Sequence, residues 1–303
     1  MARRVRRFAY LLLGLIALVA VAAVINACVA RRALETEIAD MDRDPDTGVI
    51  VGCEALTLPG TGRGACLLIH GFLGSRREFA DLGERLQREG FTVRLMRLPG
   101  YGTTPDEAER TTATEIRAAV RDEYRRLRET HGSVDVIGFS MGGALATILA
   151  SECDVHRLVL VAPYYEVTYR WFYILTPETW TRLLAPIVPY VVKGRHPIHV
   201  NKEGVREQIF SYGVLPLRAA LTLYEIGDAA FDAATLESVR APVLLIQSRG
   251  DESASPEAAE RALEGMGSAI KTEKWYERSN HHLLWDHDSE AAKTEIVRFL
   301  LAE

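Results

Sequence analysis

The sequence predicts an α/β fold, a mostly parallel central sheet with helices on both faces and a helical lid inserted between two strands. Three observations carry this. Short, β-branched apolar runs alternate with segments of helical period, and strand and helix in alternation imply a doubly wound sheet. Several of the runs are almost continuously apolar, as expected of parallel strands covered on both faces. The alternation breaks once, between "VLVAP" ending at Pro163 and "APVLLIQ" starting at Ala241, an interval too long for a simple crossover.

In chain order, the first element is "MARRVRR", a basic stretch over residues 1–7, followed by 23 residues without a charge from Phe8 to Ala30. A helix over 8–30 would be about 34 Å long, enough for a bilayer core of about 30 Å. Arg3, Arg4, Arg6 and Arg7 outnumber Arg31 and Arg32, which places the N-terminus inside and the rest of the chain outside the cytoplasm. An uncleaved membrane anchor in contact with lipid is the expectation, since the run exceeds the 7 to 15 residues usual for a signal peptide. Cleavage after Ala20-Val21-Ala22, or lipidation at Cys28, would export the domain equally well. Residues 31–47, polar and closing on Pro, Asp and Gly, read as a spacer.

The first core segment, 48–164, holds strands at "VIVGCEALTL", "ACLLIH", "FTVRLMRL", "SVDVIGF" and "HRLVLVAP", with helices at "REFADLGERLQREG", "ATEIRAAVRDEYRRLRETHG" and "GGALATILASE". An insertion over 165–227 follows. From Tyr164 to Tyr224 the chain carries eleven of its 24 Phe, Trp and Tyr residues, and scattered prolines cut this stretch into short helices. It reads as a lid over the carboxyl edge of the sheet, where α/β proteins bind ligands. Tyr164, Tyr165, Tyr169 and Trp171 are the candidate substrate contacts, against the plainer role of holding the lid together. The second core segment, 228–303, has strands at "PVLLIQSR" and "IKTEKWYE" and helices at "PEAAERALEGMG" and "SEAAKTEIVRFLLAE".

Composition bounds the function. A chain of 303 residues, 48% hydrophobic and 25% charged, has the balance of a globular protein. Its net charge of -5 offers no basic footprint, so no nucleic-acid partner is expected. Of the four cysteines, Cys53 and Cys66 could pair in an oxidising compartment, although spacing alone does not show it. There is no CxxC, and no cofactor or metal is expected.

Chemistry concentrates in "DVIGFSMGGALATILA". Gly138-Phe139-Ser140-Met141-Gly142 matches G-x-S-x-G, a pattern that chance alone would supply in about 0.1 cases per chain. Its setting between an apolar strand and a helix is the strand-turn-helix of a nucleophile elbow, which needs small neighbours and exposes the serine at the helix N-terminus. A serine hydroxyl needs a base, and its tetrahedral product needs donors. The N–H of Met141 is one donor. The N–H of Phe72, in "LLIHGFLGS", is the second, with His70 structural. An acid and then a histidine should follow in the chain. Asp251, where "VLLIQSRGDES" runs from strand into turn, occupies the acid's place, with Glu252 as the neighbour to be told apart from it.

"LLIHGFLGS", "LPGYGTTP", "GFSMGG", "LLIQSRGDESASP" and "KWYERSNH" resemble, in order and spacing, the α/β-hydrolase superfamily. Within it they resemble the bacterial carboxylesterase and monoacylglycerol lipase-like group, also grouped with the serine aminopeptidases. The likeness covers about residues 48 to 303. It implies a triad of Ser140, Asp251 and His281 and an oxyanion hole of Phe72 and Met141, and the reading is a serine hydrolase of small carboxylic esters, for which the lid argues an apolar acyl or alcohol group. Two positions depart from the group: Tyr101 where it often has His, and Asn280 where Gly is usual. An aminopeptidase using the same triad is the nearest rival, with Glu166, Glu178, Glu203 or Glu207 to hold a substrate amine. A metal-dependent hydrolase using His281, His282, Asp286 and His287 is the distant one. His282 is expected to pack or bond backbone, and His287 to lie at the cap of the final helix.

Overall fold

The structure of the protein, a computed structural model, describes residues 2–169, 174–193 and 198–302. Its strands are β1 (Leu56–Leu58), β2 (Ala65–Ile69), β3 (Thr92–Leu95), β4 (Val134–Phe139), β5 (Leu158–Val161), β6 (Tyr190–Val192), β7 (Val214–Pro216), β8 (Val243–Ser248) and β9 (Lys271–Tyr276). The helices are α1 (Ala2–Ala39), α2 (Leu82–Arg88), α3 (Pro105–Arg110), α4 (Ala113–His131), α5 (Met141–Glu152), α6 (Pro177–Leu184), α7 (Leu217–Ala230), α8 (Ala233–Ser238), α9 (Pro256–Gly265) and α10 (Ser289–Leu301). Seven strands form one sheet in the order β1-β3-β2-β4-β5-β8-β9. Within this sheet only β1 runs antiparallel to its neighbour.

Alternate residues of each central strand feed opposite cores. In β2, Ala65, Leu67 and Ile69 join the core that includes α4 and α5, while Cys66 and Leu68 join the one under α2 and α10. The same alternation holds in β8, where Val243 and Leu245 face one way and Leu244 and Ile246 the other. This is why these strands read as unbroken apolar runs: both faces are dry. Each fully buried aliphatic side chain contributes about 1.5 to 3 kcal/mol. Cys53 and Cys66 lie in different cores, and all four cysteines are free thiols.

Helix ends obey local chemistry. At the start of α4, Thr112 accepts from the Glu115 amide while the Glu115 carboxylate accepts from Thr112, a reciprocal capping box. Its end is a Gly132 with φ of 75°, a conformation that glycine adopts without steric cost.

Three stretches differ from the sequence expectation. "VIVGCEALTL" yields only the short β1, because the chain turns at Gly52 (φ +86) and Ile50 bonds instead to Gly102. Residues 31–47, expected as a spacer, are not free chain. Helix α1 runs on to Ala39, Ala30 and Leu34 are buried, and Glu37 accepts from the Gly213 amide at 2.6 Å. Asn26 donates to the Tyr190 carbonyl at 2.9 Å, so α1 docks on the β6–β7 hairpin. Within α1, Ala17–Ala39 is long and apolar enough to cross a membrane.

Between β5 and β8 the chain inserts α6, the hairpin β6–β7, α7 and α8. The boundary expected at residue 227 falls inside α7. That helix packs on α5 and buries Ala219, Ile226, Gly227 and Ala230, so it belongs to the sheet's own helical layer.

Candidate active site

Because β2, β4, β8 and β9 are parallel, the loops that follow them leave the same sheet edge. Ser140 follows β4, Asp251 follows β8 and His281 follows β9. The loop 70–75 follows β2. Residues far apart in sequence therefore meet there by topology alone.

Ser140 has φ of 53° and ψ of −120°, a backbone that non-glycine residues rarely adopt and that costs of order 1 to 3 kcal/mol. The sharp turn needs glycine neighbours for a measurable reason. A Cβ on Gly138 would lie 2.2 Å from the Gly142 carbonyl oxygen, and one on Gly142 would lie 1.9 Å from the Ile69 oxygen. Gly142→Ala must push the elbow off β2. Its expected destabilisation is about 3 kcal/mol or more, read as a fall in the denaturant midpoint.

His281 joins the other two side chains. Its Nε2 lies 3.0 Å from Ser140 Oγ and its Nδ1 lies 2.8 Å from Asp251 Oδ2. All three are buried, at 8% exposure or less. Asp251 is itself oriented: Oδ1 accepts from the amides of Ser253 and Ala254, and Oδ2 accepts from Gln247 Nε2 at 3.2 Å. With the carboxylate receiving the Nδ1 proton, Nε2 is left as the acceptor for a hydroxyl proton. Glu252 turns away to His199 and to Asn280 Nδ2, each 3.1 Å distant.

The amides of Phe72 and Met141 donate to no backbone carbonyl among the described turns and loops. Behind them, His70 is fixed in one tautomer: Leu98 N–H donates to Nε2 at 3.1 Å, so Nδ1–H donates to the Gly71 carbonyl at 3.0 Å. Burial pushes its pKa down to about 4 and keeps the ring neutral. Tyr101 is buried, and its hydroxyl sits 3.7 Å from Met141 Sδ.

The histidine cluster divides. His282 is buried with Nδ1 3.3 Å from the His199 carbonyl, and burial brings its pKa down to about 3. His287 is exposed, and its amide donates to Asp286. Asp286 is a backbone clamp that accepts from the amides of Asn201, Asn280, Lys202 and His287 at 2.8 to 2.9 Å. The side chains of His281, His282 and Asp286 therefore aim at separate partners, and among the described residues no group of three could hold a metal.

Two positioning residues escaped the sequence reading. Asp286 stood out only as part of a histidine-rich string, and Asn280 only as a departure from the group. Asn280 Oδ1 accepts from the amides of both His281 and Glu252, which ties the loop carrying His281 to the loop carrying Asp251. A glycine there could not make that bond.

The expected substrate contacts also divide. Tyr165 is a correction: its hydroxyl bonds Thr147 at 2.8 Å and its ring packs on Phe231, so it is core. Tyr164 is buried with Tyr224, Ala220 and Ala254, and its amide bonds the Ser140 carbonyl. Tyr169 is exposed and, with Pro177, Trp180, Leu184, Val191 and Leu217, lines an apolar cavity of about 560 Å³. Trp171, with Phe172 and Tyr173, lies outside the described residues.

With β4 central and the turn after it strained in this way, the class follows: the chain is an α/β hydrolase. Within that class it belongs to the family described as serine aminopeptidase, S33, whose family model matches residues 60–288. It is 24% identical to a carboxylesterase of Bacillus subtilis, over 79% of this chain and 93% of that one. A thermostable monoacylglycerol lipase of a Bacillus species is 40% identical over 86 residues, 28% of this chain and 34% of that one. Among solved structures, one from work on two metagenome-derived lipolytic enzymes superposes with a TM-score of 0.74 at 30% identity, covering 83% of this chain and 98% of that one.

Proposed function

We propose that the protein is a serine hydrolase of carboxylic esters acting through an acyl-enzyme. The observation that carries this reading is the unbroken line from Asp251 Oδ2 through the His281 ring to Ser140 Oγ, at 2.8 and 3.0 Å. Ser140 Oγ attacks the ester carbonyl as His281 Nε2 takes its proton. Asp251 holds the tautomer and stabilises the imidazolium. The N–H groups of Phe72 and Met141 receive the oxyanion. His281 then gives its proton to the leaving alcohol, and water, activated by the same nitrogen, releases the acid and restores Ser140.

Ester chemistry is favoured by the carboxylesterase and lipase names of the relatives. The monoacylglycerol lipase relative supports an apolar acyl or alcohol group, and the insertion of α6 and the hairpin β6–β7 between β5 and β8 supports a lid role. The aminopeptidase alternative draws less support. Glu166 is engaged by Arg261 at 2.6 Å, while Glu203 and Glu207 lie on the exposed surface. The apolar helix α1 supports a membrane-tethered enzyme whose catalytic domain is extracytoplasmic.

A fluorophosphonate probe is expected to label wild-type protein at Ser140, mapped by peptide mass. Turnover of a p-nitrophenyl ester should exceed that of an aminoacyl anilide by at least about 100-fold, since amides are the harder substrates. The opposite order would assign the chain to the peptidases.

A further inference from the structure

Glu78 lies in the short 3-10 turn Arg76–Phe79, behind the loop that carries Phe72, and is only 4% exposed. Its Oε2 accepts from the Gly71 N–H at 2.6 Å. Gly71 is held between this carboxyl and the serine: a Cβ on it would lie 3.0 Å from Ser140 Cβ and 3.2 Å from Glu78 Oε2. The same side chain fills the hollow of the loop, where a Cβ on Gly74 would lie 2.1 Å from Oε1. Loop 71–74 is thus wrapped around one buried acid.

On its other side Glu78 meets the base loop. His282 Nε2 lies 3.9 Å from Oε1, and His282 is the chain neighbour of His281, with the two rings edge to face at 5.4 Å. Because Nδ1–H of His282 is directed at the His199 carbonyl, Nε2 turns its lone pair, not a proton, towards Glu78. The remaining titratable groups nearby are Tyr101, His70 behind it, and His281. Burial holds Tyr101 protonated and His70 and His282 uncharged. None of Tyr101, His70 and His282 therefore supplies a cation to stabilise a carboxylate at this position.

We infer that Glu78 is a positioning residue for the ester hydrolysis proposed above, fixing the Gly71–Phe72 backbone so that the Phe72 N–H stays aimed at the oxyanion. The inference rests on that reading of the site. It also assigns a protonation state. A carboxylate here would set a second negative charge beside the developing oxyanion in a low-dielectric setting, where like charges repel strongly. Burial pushes the Glu78 pKa up to about 8, so at neutral pH the side chain holds the loop as an uncharged acid.

The test uses the full chain in detergent micelles, with kcat and KM for p-nitrophenyl butyrate followed from pH 6 to 9.5 in wild type, Glu78→Gln and Glu78→Met, and a melting temperature for each. Gln keeps a carbonyl acceptor for Gly71 but cannot ionise; Met keeps the length and loses the acceptor. Wild-type kcat is expected to fall as pH rises through about 8. In Glu78→Gln that alkaline fall should vanish, with kcat at pH 7 kept within about threefold. Glu78→Met should lose about 10- to 100-fold in kcat with little change in KM, less than the full removal of an oxyanion donor. A Glu78→Met enzyme with wild-type kcat and only a lower melting temperature would reduce Glu78 to a packing residue and overturn the inference. So would an alkaline fall that survives in Glu78→Gln, and that comparison decides alone if the Met variant does not fold. A wild-type chain inert toward the ester would instead defeat the ester reading, and this inference with it.

Discussion

Ser140→Ala is expected to lower ester turnover by four to six orders of magnitude while the protein keeps its fold. On the proposed mechanism the oxygen lost is the one that forms the acyl-enzyme, and its neighbours among the described residues offer no replacement: Met141 is an apolar helix residue, and Tyr101 is buried behind it. In enzymes whose nucleophile and base act as one unit, removing either costs nearly as much as removing both, about 10⁶ in kcat. The residual rate comes from the oxyanion donors and from binding. Near-normal hydrolysis by the purified variant would end the serine assignment, and circular dichroism would show whether a loss reflected chemistry or unfolding. Alanine also inherits the strained φ of 53°, so no large gain in stability should accompany the loss.

His281→Ala should fall nearly as far as Ser140→Ala, by about 10⁴-fold or more, whereas His282→Ala should stay within about tenfold of wild type. The two rings are adjacent and both are buried, yet their bonds differ in kind. His281 spans acid and nucleophile, while His282 offers a nitrogen to a backbone carbonyl and faces Glu78. Losing His282 opens a cavity and costs stability, at the few-kcal/mol scale of other large-to-small core changes. Losing His281 removes the base of the proposed mechanism. Parallel assays at pH 7 separate these outcomes, and equal losses would refute the division of the cluster.

Much of this architecture was legible in the residues. β2, β4, β5 and β8 announced themselves because burial on two faces demands unbroken apolar runs. The turn at Ser140 was legible because a strained strand-to-helix turn admits only glycine two positions to either side, at Gly138 and Gly142. Less could be read where the determinant was a contact between distant segments. The docking of residues 30–39 on the β6–β7 hairpin depends on Glu37 meeting an amide 176 positions away, which no local pattern encodes. Tyr165 looked like its neighbours in an aromatic-rich stretch, and only the position of Thr147 on α5 makes it core. Asp286 and Asn280 act through backbone amides, and amides carry no sequence signature. Glu78 sat unremarked in a charged string, since burial of one carboxyl in "SRREF" is decided by the loop folding over it.

The strand order also governs when during synthesis the chain can become active. Ser140 follows the central strand, but Asp251 comes from the loop after β8 and His281 from the loop after β9, which adds at the sheet's edge. A ribosome moving from the N-terminus has made Ser140 long before His281, the base proposed for it. Parallel strands pair only across long chain separations, so the edge closes late. On the proposed reading of the site, the emerging polypeptide passes through biosynthesis as an inert esterase and gains hydrolytic power only when its last strand has been laid down.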